Sequence, residues 1–136
     1  MSQSNPGVVI SLDAGGSISA YRVVYVSGDH AITHYGATHT TSIVGITKDG
    51  GAAGTSIPVV ISGTAKVEIN DSVSAGQLLV PAIAGTVTGR VVGVSVATAT
   101  AGTPYVGICL DTVSGASCTG AVVEVVFFGG NLTHLI

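Results

Sequence analysis

Short β-branched runs, each bounded by Gly, Asp, Ser or Pro, recur along this chain and leave little room for a helix. Leu, Glu and Lys, which favour helices, are scarce, while Thr and Ser are abundant and Gly alone supplies 20 residues. The runs predict strands at Val8–Leu12, Arg22–Ser27, Ile32–Tyr35, Ser42–Thr47, Thr55–Ser62, Thr64–Ile69, Gln77–Pro81, Thr86–Thr88, Gly93–Ala97, Tyr105–Asp111 and Ala121–Phe128. Turn signals about every eight to twelve residues point to a sandwich or a small barrel. The expected fold is therefore all-β: a small β-sandwich or barrel-like (β-tulip-like) domain with an imperfect internal duplication and flexible termini. A chain of 136 residues is one domain in length and needs neither disulfides nor metal to bury a core.

The duplication is read from matched segments. SISAYRVVYV from Ser17 reappears as SVSAGQLLVP from Ser72, so that Ile18, Ser19, Ala20 and Val24 fall against Val73, Ser74, Ala75 and Leu79. IVGITKDG from Ile43 answers YVGICLDT from Tyr105, and IPVVISG answers AVVEVVFFGG. The spacing grows from 55 to 62 residues between the first and second match, which places an insertion in the second half. The expected organisation is an N-terminal arm over 1–7, one β domain over 8–130 with pseudo-repeats at 17–63 and 72–130, and a C-terminal tail over 131–136. Chance similarity among segments rich in Val, Gly and Ser is the competing explanation. In the second copy Ala75-Gly76 makes a tight turn in which Gly takes positive φ without a Cβ clash. The first copy has Tyr21 at that place, so its turn must differ or be strained. Leu78 and Val80 should share one face of the next strand, and Val24 and Leu79 should be equivalent inward positions, as should Ile46 and Ile108.

Charge narrows the function. Apolar residues make up 46% of the chain and charged ones 8%, against about 25% in ordinary soluble domains. Such a surface is expected to be committed to protein contacts. The net charge of −3 comes from four basic and seven acidic residues, and Arg22, Lys48, Lys66 and Arg90 form no cluster in sequence. Nucleic acid is not an expected partner, since phosphate backbones are held by several Lys and Arg together. Neither is a membrane: no apolar run approaches the roughly 18–20 residues of a spanning helix. The most apolar stretch, Ala121–Phe128, is cut by Glu124. MSQSNPG shows no signal-peptide pattern.

Residues able to carry chemistry are few and scattered. His30, His34 and His39 lie close in sequence, where three imidazoles could hold zinc or copper, but the segment reads as a polar loop with solvated histidines. On a strand His30 and His34 would share a face and His39 would not. Asp29, Asp49, Asp71 and Asp111 sit beside turn residues, where carboxylates satisfy backbone N–H groups. Cys109 and Cys118 match no common zinc pattern; two buried thiols and a cross-link between flanking strands both remain open. There is no Gly-x-Ser-x-Gly elbow, Walker A loop, HExxH or calcium loop. Gly15-Gly16 opens no helix, so no dinucleotide fingerprint is formed. Asn131-Leu132-Thr133 is a glycosylation sequon without a secretion signal to give it meaning. The expectation is no enzyme, no catalytic or metal residues and no cofactor.

With that grammar in place, the chain resembles the bacteriophage head decoration (cement) proteins. The resemblance runs from about Val8 to Gly130 and is carried by SVSAGQLLVP, YVGICLDT and AVVEVVFFGG, with a weaker copy in the first half; Tyr21 departs from it. It implies a β-rich homotrimer on the outer capsid surface of a virion, made in the host bacterial cytoplasm, whose partners are itself and the major capsid protein. It would stabilise the capsid by tying neighbouring major capsid proteins together. Competing readings are another phage structural β-protein from the tail or minor head components, and a carbohydrate-binding module. The absence of Trp and the presence of only four Tyr weaken the module, because sugar sites rely on aromatic faces.

Overall fold

The computed structural model describes residues 6–35, 43–82, 88–95, 104–115 and 118–131. Among them the chain is all-β, with no helix. The strands are β1 (Pro6–Ala14), β2 (Val23–Gly28), β3 (Ala31–His34), β4 (Ile43–Thr47), β5 (Ser56–Glu68), β6 (Leu78–Pro81), β7 (Val91–Val94), β8 (Pro104–Cys109) and β9 (Val122–Asn131). They form one sheet in the order β1-β3-β2-β4-β5-β9-β8-β6-β7. Because β1 also pairs with β5, the strands β1-β3-β2-β4-β5 close on themselves as a small barrel. The run β5-β9-β8-β6-β7 returns to the end of β5 through a parallel bridge between Ile69 and Val91.

Strand β5 belongs to both rings. Its first part pairs with β1 up to Gly63, and from Gly63 onward it pairs with β9. Gly63, at φ 87°, is the bend at which the partner changes. The predicted strands Thr55–Ser62 and Thr64–Ile69 are thus one strand: the glycine between them turns the chain within the ladder and does not end it.

The two halves repeat one hydrogen-bonding scheme. Val23 pairs with Ile46 and Val24 with Gly45; Leu78 pairs with Ile108 and Leu79 with Gly107. Ile18 bridges Gly51 as Val73 bridges Val113. Ala14 pairs in parallel with Ile32, as Ile69 does with Val91. Ile10 lies opposite Val59 as Ala65 lies opposite Val125. Each unit therefore begins further upstream than the matched motifs, at β1 in the first and within β5 in the second. Gly45 and Gly107 hold equivalent close approaches, since a Cβ on either would run into a β5 or β9 carbonyl, that of Val60 or Val126.

The cores repeat as well. Ala14, Ile18, Val24, Ile32, Ile57 and Val59 form the buried interior of unit one. Their register partners in unit two, Ile69, Val73, Leu79, Val91, Val123 and Val125, lie in the largest cluster. Val24 and Leu79 are both fully buried, at equivalent inward positions. Leu78 and Val80 share a face, in a third cluster apart from Leu79. Ile46 and Ile108 are equivalent in pairing, yet Ile46 is fully buried and Ile108 only half-buried. Their environments differ because unit one packs against unit two and unit two meets no third unit.

Some boundaries move. β7 starts at Val91, two residues before the expected Gly93, because Val91 closes the second ring on Ile69. Pro6 and Gly7, read as arm, are the first residues of β1. The rest of that arm (1–5), His39, Ser42, Thr86-Val87, Val96-Ala97 and 132–136 lie outside the described residues.

Candidate functional site

The turn before β2 departs from its twin in chemistry while keeping its geometry. The Gly76 N–H donates to Cys109 O (2.8 Å), and the Cys109 N–H returns a bond to Gln77 O (2.9 Å). In unit one the Tyr21 N–H donates to Thr47 O (2.8 Å) and the Thr47 N–H to Arg22 O (2.9 Å). To make this same turn Tyr21 adopts φ 62°, where Gly76 has φ 90°. A left-handed conformation costs a Cβ-bearing residue roughly 1–2 kcal/mol. Gly76 makes the same turn without that cost.

Tyr21 lines a cleft of about 300 Å³ together with Pro6, Thr47, Lys48, Asp49, Val60, Ala65 and Lys66. Lys48 and Lys66 are the chain's two lysines, far apart in sequence and brought to one place by the fold. The unit-two counterpart of Lys48 is the exposed Leu110: the Lys48 N–H donates to Pro58 O (2.9 Å) as the Leu110 N–H donates to Glu124 O (2.9 Å). In unit two Asp111 Oδ2 accepts the Glu124 N–H at 2.7 Å. Proline stands at the matching place in unit one and has no N–H to offer, and the exposed Asp49 lines the cleft. Thr47, 1% exposed, anchors the floor: its hydroxyl donates to Ser19 O (2.7 Å) and accepts from the Arg22 N–H (3.0 Å). Lys66 stands opposite Glu124 across β5 and β9. Two lysines, one aspartate and a tyrosine thus line the cleft.

The two arginines are spent differently. Arg22 Nη2 (3.0 Å) and Arg90 Nε (2.8 Å) both reach Glu68 Oε2 from opposite units, with all three side chains less than a fifth exposed. Arg22 Nη1 also donates to Thr88 O (3.1 Å). This ion triad clamps the seam between the units. The basic residues thus form two pairs in space, a grouping invisible in sequence because each pair is brought together by β5 and its neighbours.

Of the histidines, His30 lies in the β2–β3 turn at φ 59°, exposed beside the Asp29 carboxylate (3.1 Å). His34 is not a solvated loop residue: it sits in β3, and its Nε2 accepts the Ser19 N–H at 3.0 Å. Burial, then the nearby Arg22 charge, push its pKa below the ordinary value, with Glu68 pulling the other way. Among the described residues no three His, Cys, Asp or Glu side chains converge as a metal set. Cys109 and Cys118 are buried free thiols, not a cross-link. Cys109 donates to Asp111 O (3.0 Å), and burial raises its pKa. Asp71 accepts the Ser72 N–H at 2.8 Å, the expected turn role, whereas Asp111 holds a backbone N–H of strand β9. Among the described residues no helix is long and apolar enough to cross a membrane.

No known protein family and no curated protein sequence matches this chain. Among solved structures it is similar to the head fibre gp8.5 N base of bacteriophage phi29, with a TM-score of 0.62 at 20% sequence identity over 88% of this chain and 92% of that one. The likeness establishes a shared fold.

Proposed function

We propose that this chain is a structural protein of a bacteriophage head, one that attaches to the assembled capsid and stabilises it without catalysis. The observation that carries the reading is the shared fold, over nearly the whole of both chains, with a protein described as the base of a head fibre. The charge-poor composition and the exposed apolar side chains of β1, β2 and β9 suit a protein whose surface is committed to contacts. In the finer form of this reading the protein is a homotrimer seated on the outside of the major capsid protein lattice. Binding the shell and not its separate subunits stabilises the shell by mass action, and many sites on one lattice add avidity.

The Tyr21–Lys48–Lys66 cleft is the candidate capsid contact, taking an acidic loop of the major capsid protein. Exposed charge contacts weaken with salt, so attachment through this cleft should fall as ionic strength rises. A Lys48→Glu, Lys66→Glu double variant should lose attachment to purified heads while keeping its thermal melt. Undiminished attachment by a folded double variant would remove the cleft from the contact.

A further inference from the structure

Strand β5 leaves one edge unpaired where it passes the cleft. The Ile69 N–H donates to Ala121 O, on the β9 side, and the Glu68 N–H donates the other way, to Tyr21 O (both 2.9 Å). Backbone groups alternate between the two edges of a strand, so the N–H and C=O of Lys66 face away from β9, as the Glu68 N–H does. The register agrees. Lys66 stands opposite Glu124, whose own N–H donates to Asp111 Oδ2 and whose C=O accepts the Leu110 N–H, both away from β5. Strand β1 pairs with β5 only up to Gly63, and β4 pairs with it only at Val59 and Val60. Among the described residues no strand pairs with the edge that Lys66 presents.

An unpaired edge is a template for a further strand. Ala65 and Lys66 line the cleft beside Tyr21, and Tyr21 O already takes the next N–H along that edge, from Glu68. The open stretch therefore ends at Tyr21. Charge supplies the second observation. Among the described residues neither Lys48 nor Lys66 forms an ion pair, and the lining sets one carboxylate, Asp49, against two lysines. The matching edge of β1 has Ser11, opposite Pro58, at the place of Lys66, and carries no charge there.

We propose that the cleft receives its partner as an added strand: an extended acidic segment of the capsid protein, bonded through its backbone to the N–H and C=O of Lys66. Its carboxylates meet the Lys48 and Lys66 ammonium groups. In this mode main-chain bonds give affinity and side chains give selectivity. The inference rests on the cleft being the capsid contact, and adds how the partner is held there.

Hydrogen exchange read residue by residue tests it. In the free protein the Lys66 amide should exchange fast, while Ala65 and Val67, bonded to β9, are protected. In protein bound to heads during exchange and then released, the Lys66 amide should be slowed roughly tenfold or more, the worth of one hydrogen bond. Lys66→Pro removes the outward N–H without breaking a bond to β9, a position where proline is tolerated in strands. It should weaken attachment roughly tenfold more than Lys66→Ala does, both variants keeping a cooperative melt. Should the proline variant not fold, exchange alone decides. A Lys66 amide that stays fast in attached protein, or a folded proline variant that attaches as tightly as the alanine variant, would overturn the added strand and leave the cleft as the contact. Undiminished attachment by the Lys48→Glu, Lys66→Glu variant would overturn the contact, and the added strand with it.

Discussion

At Tyr21 the strain that glycine avoids is visible in one dihedral. Gly76 shows what the turn asks for, and a Cβ there would meet nothing within 4 Å. Gly76→Ala should therefore cost about 1–2 kcal/mol from backbone conformation alone, measured by denaturant unfolding. Tyr21→Gly relieves the strain and should leave the fold intact while weakening attachment to heads; unchanged attachment would show that the phenol has no part in it. His34 gives a second residue-level outcome. Its Nε2 is an acceptor, so protonation sets an N–H against the Ser19 N–H. The folded pKa lies below the ordinary 6.5, so the unfolded chain takes the proton first. Stability is then fully present above about pH 6.5 and is lost as pH falls toward the folded value. In thermal melts between neutral and mildly acid pH, His34→Asn should flatten this loss, and an unchanged slope would assign it elsewhere.

Among elements, β5 is the one the sequence hid. Its β-branched residues announce strands on either side of Gly63, and glycine in such a run reads as a turn; only the change of partner from β1 to β9 shows that the ladder continues. The matched SAG and VGI segments were legible because turns and close approaches demand particular residues, as Gly45 and Gly107 show. The upstream part of each unit was not, since Val8–Ala14 and Gly63–Ile69 share only the alternation that any half-buried strand has. The cleft was hidden for a related reason: Lys48 and Lys66 come to one lining only through the pairing of β4 with β5 and the bend of β5 at Gly63. Two outcomes belong at this scale. Leu79→Ala should cost roughly 2–5 kcal/mol in unfolding experiments, and Val24→Ala less, because fewer buried carbons are removed. Glu68→Gln should cost about 3 kcal/mol, since it strands two guanidinium groups at the seam. A loss no larger than that of an exposed Glu→Gln change would mean that the triad does not hold the units together.

At the scale of the whole molecule, the described parts of the two halves share one pairing scheme and differ in their surfaces. Unit two keeps the glycine turn and leaves Leu110, Val122 and Val126 exposed. The cleft brings Tyr21, Lys48 and Asp49 of unit one beside Lys66 at the start of unit two. This difference fits the proposal that the cleft carries the contact with the capsid. The claim at the centre of the account is attachment to an assembled head, and sedimentation tests it most directly. Purified protein is added to heads that lack it, and in parallel to unassembled major capsid protein. Saturable recovery with the sedimented heads, whose thermal stability rises, and no recovery with the unassembled subunits are the expected results. Protein left wholly in the supernatant at concentrations where it is folded and oligomeric would contradict it.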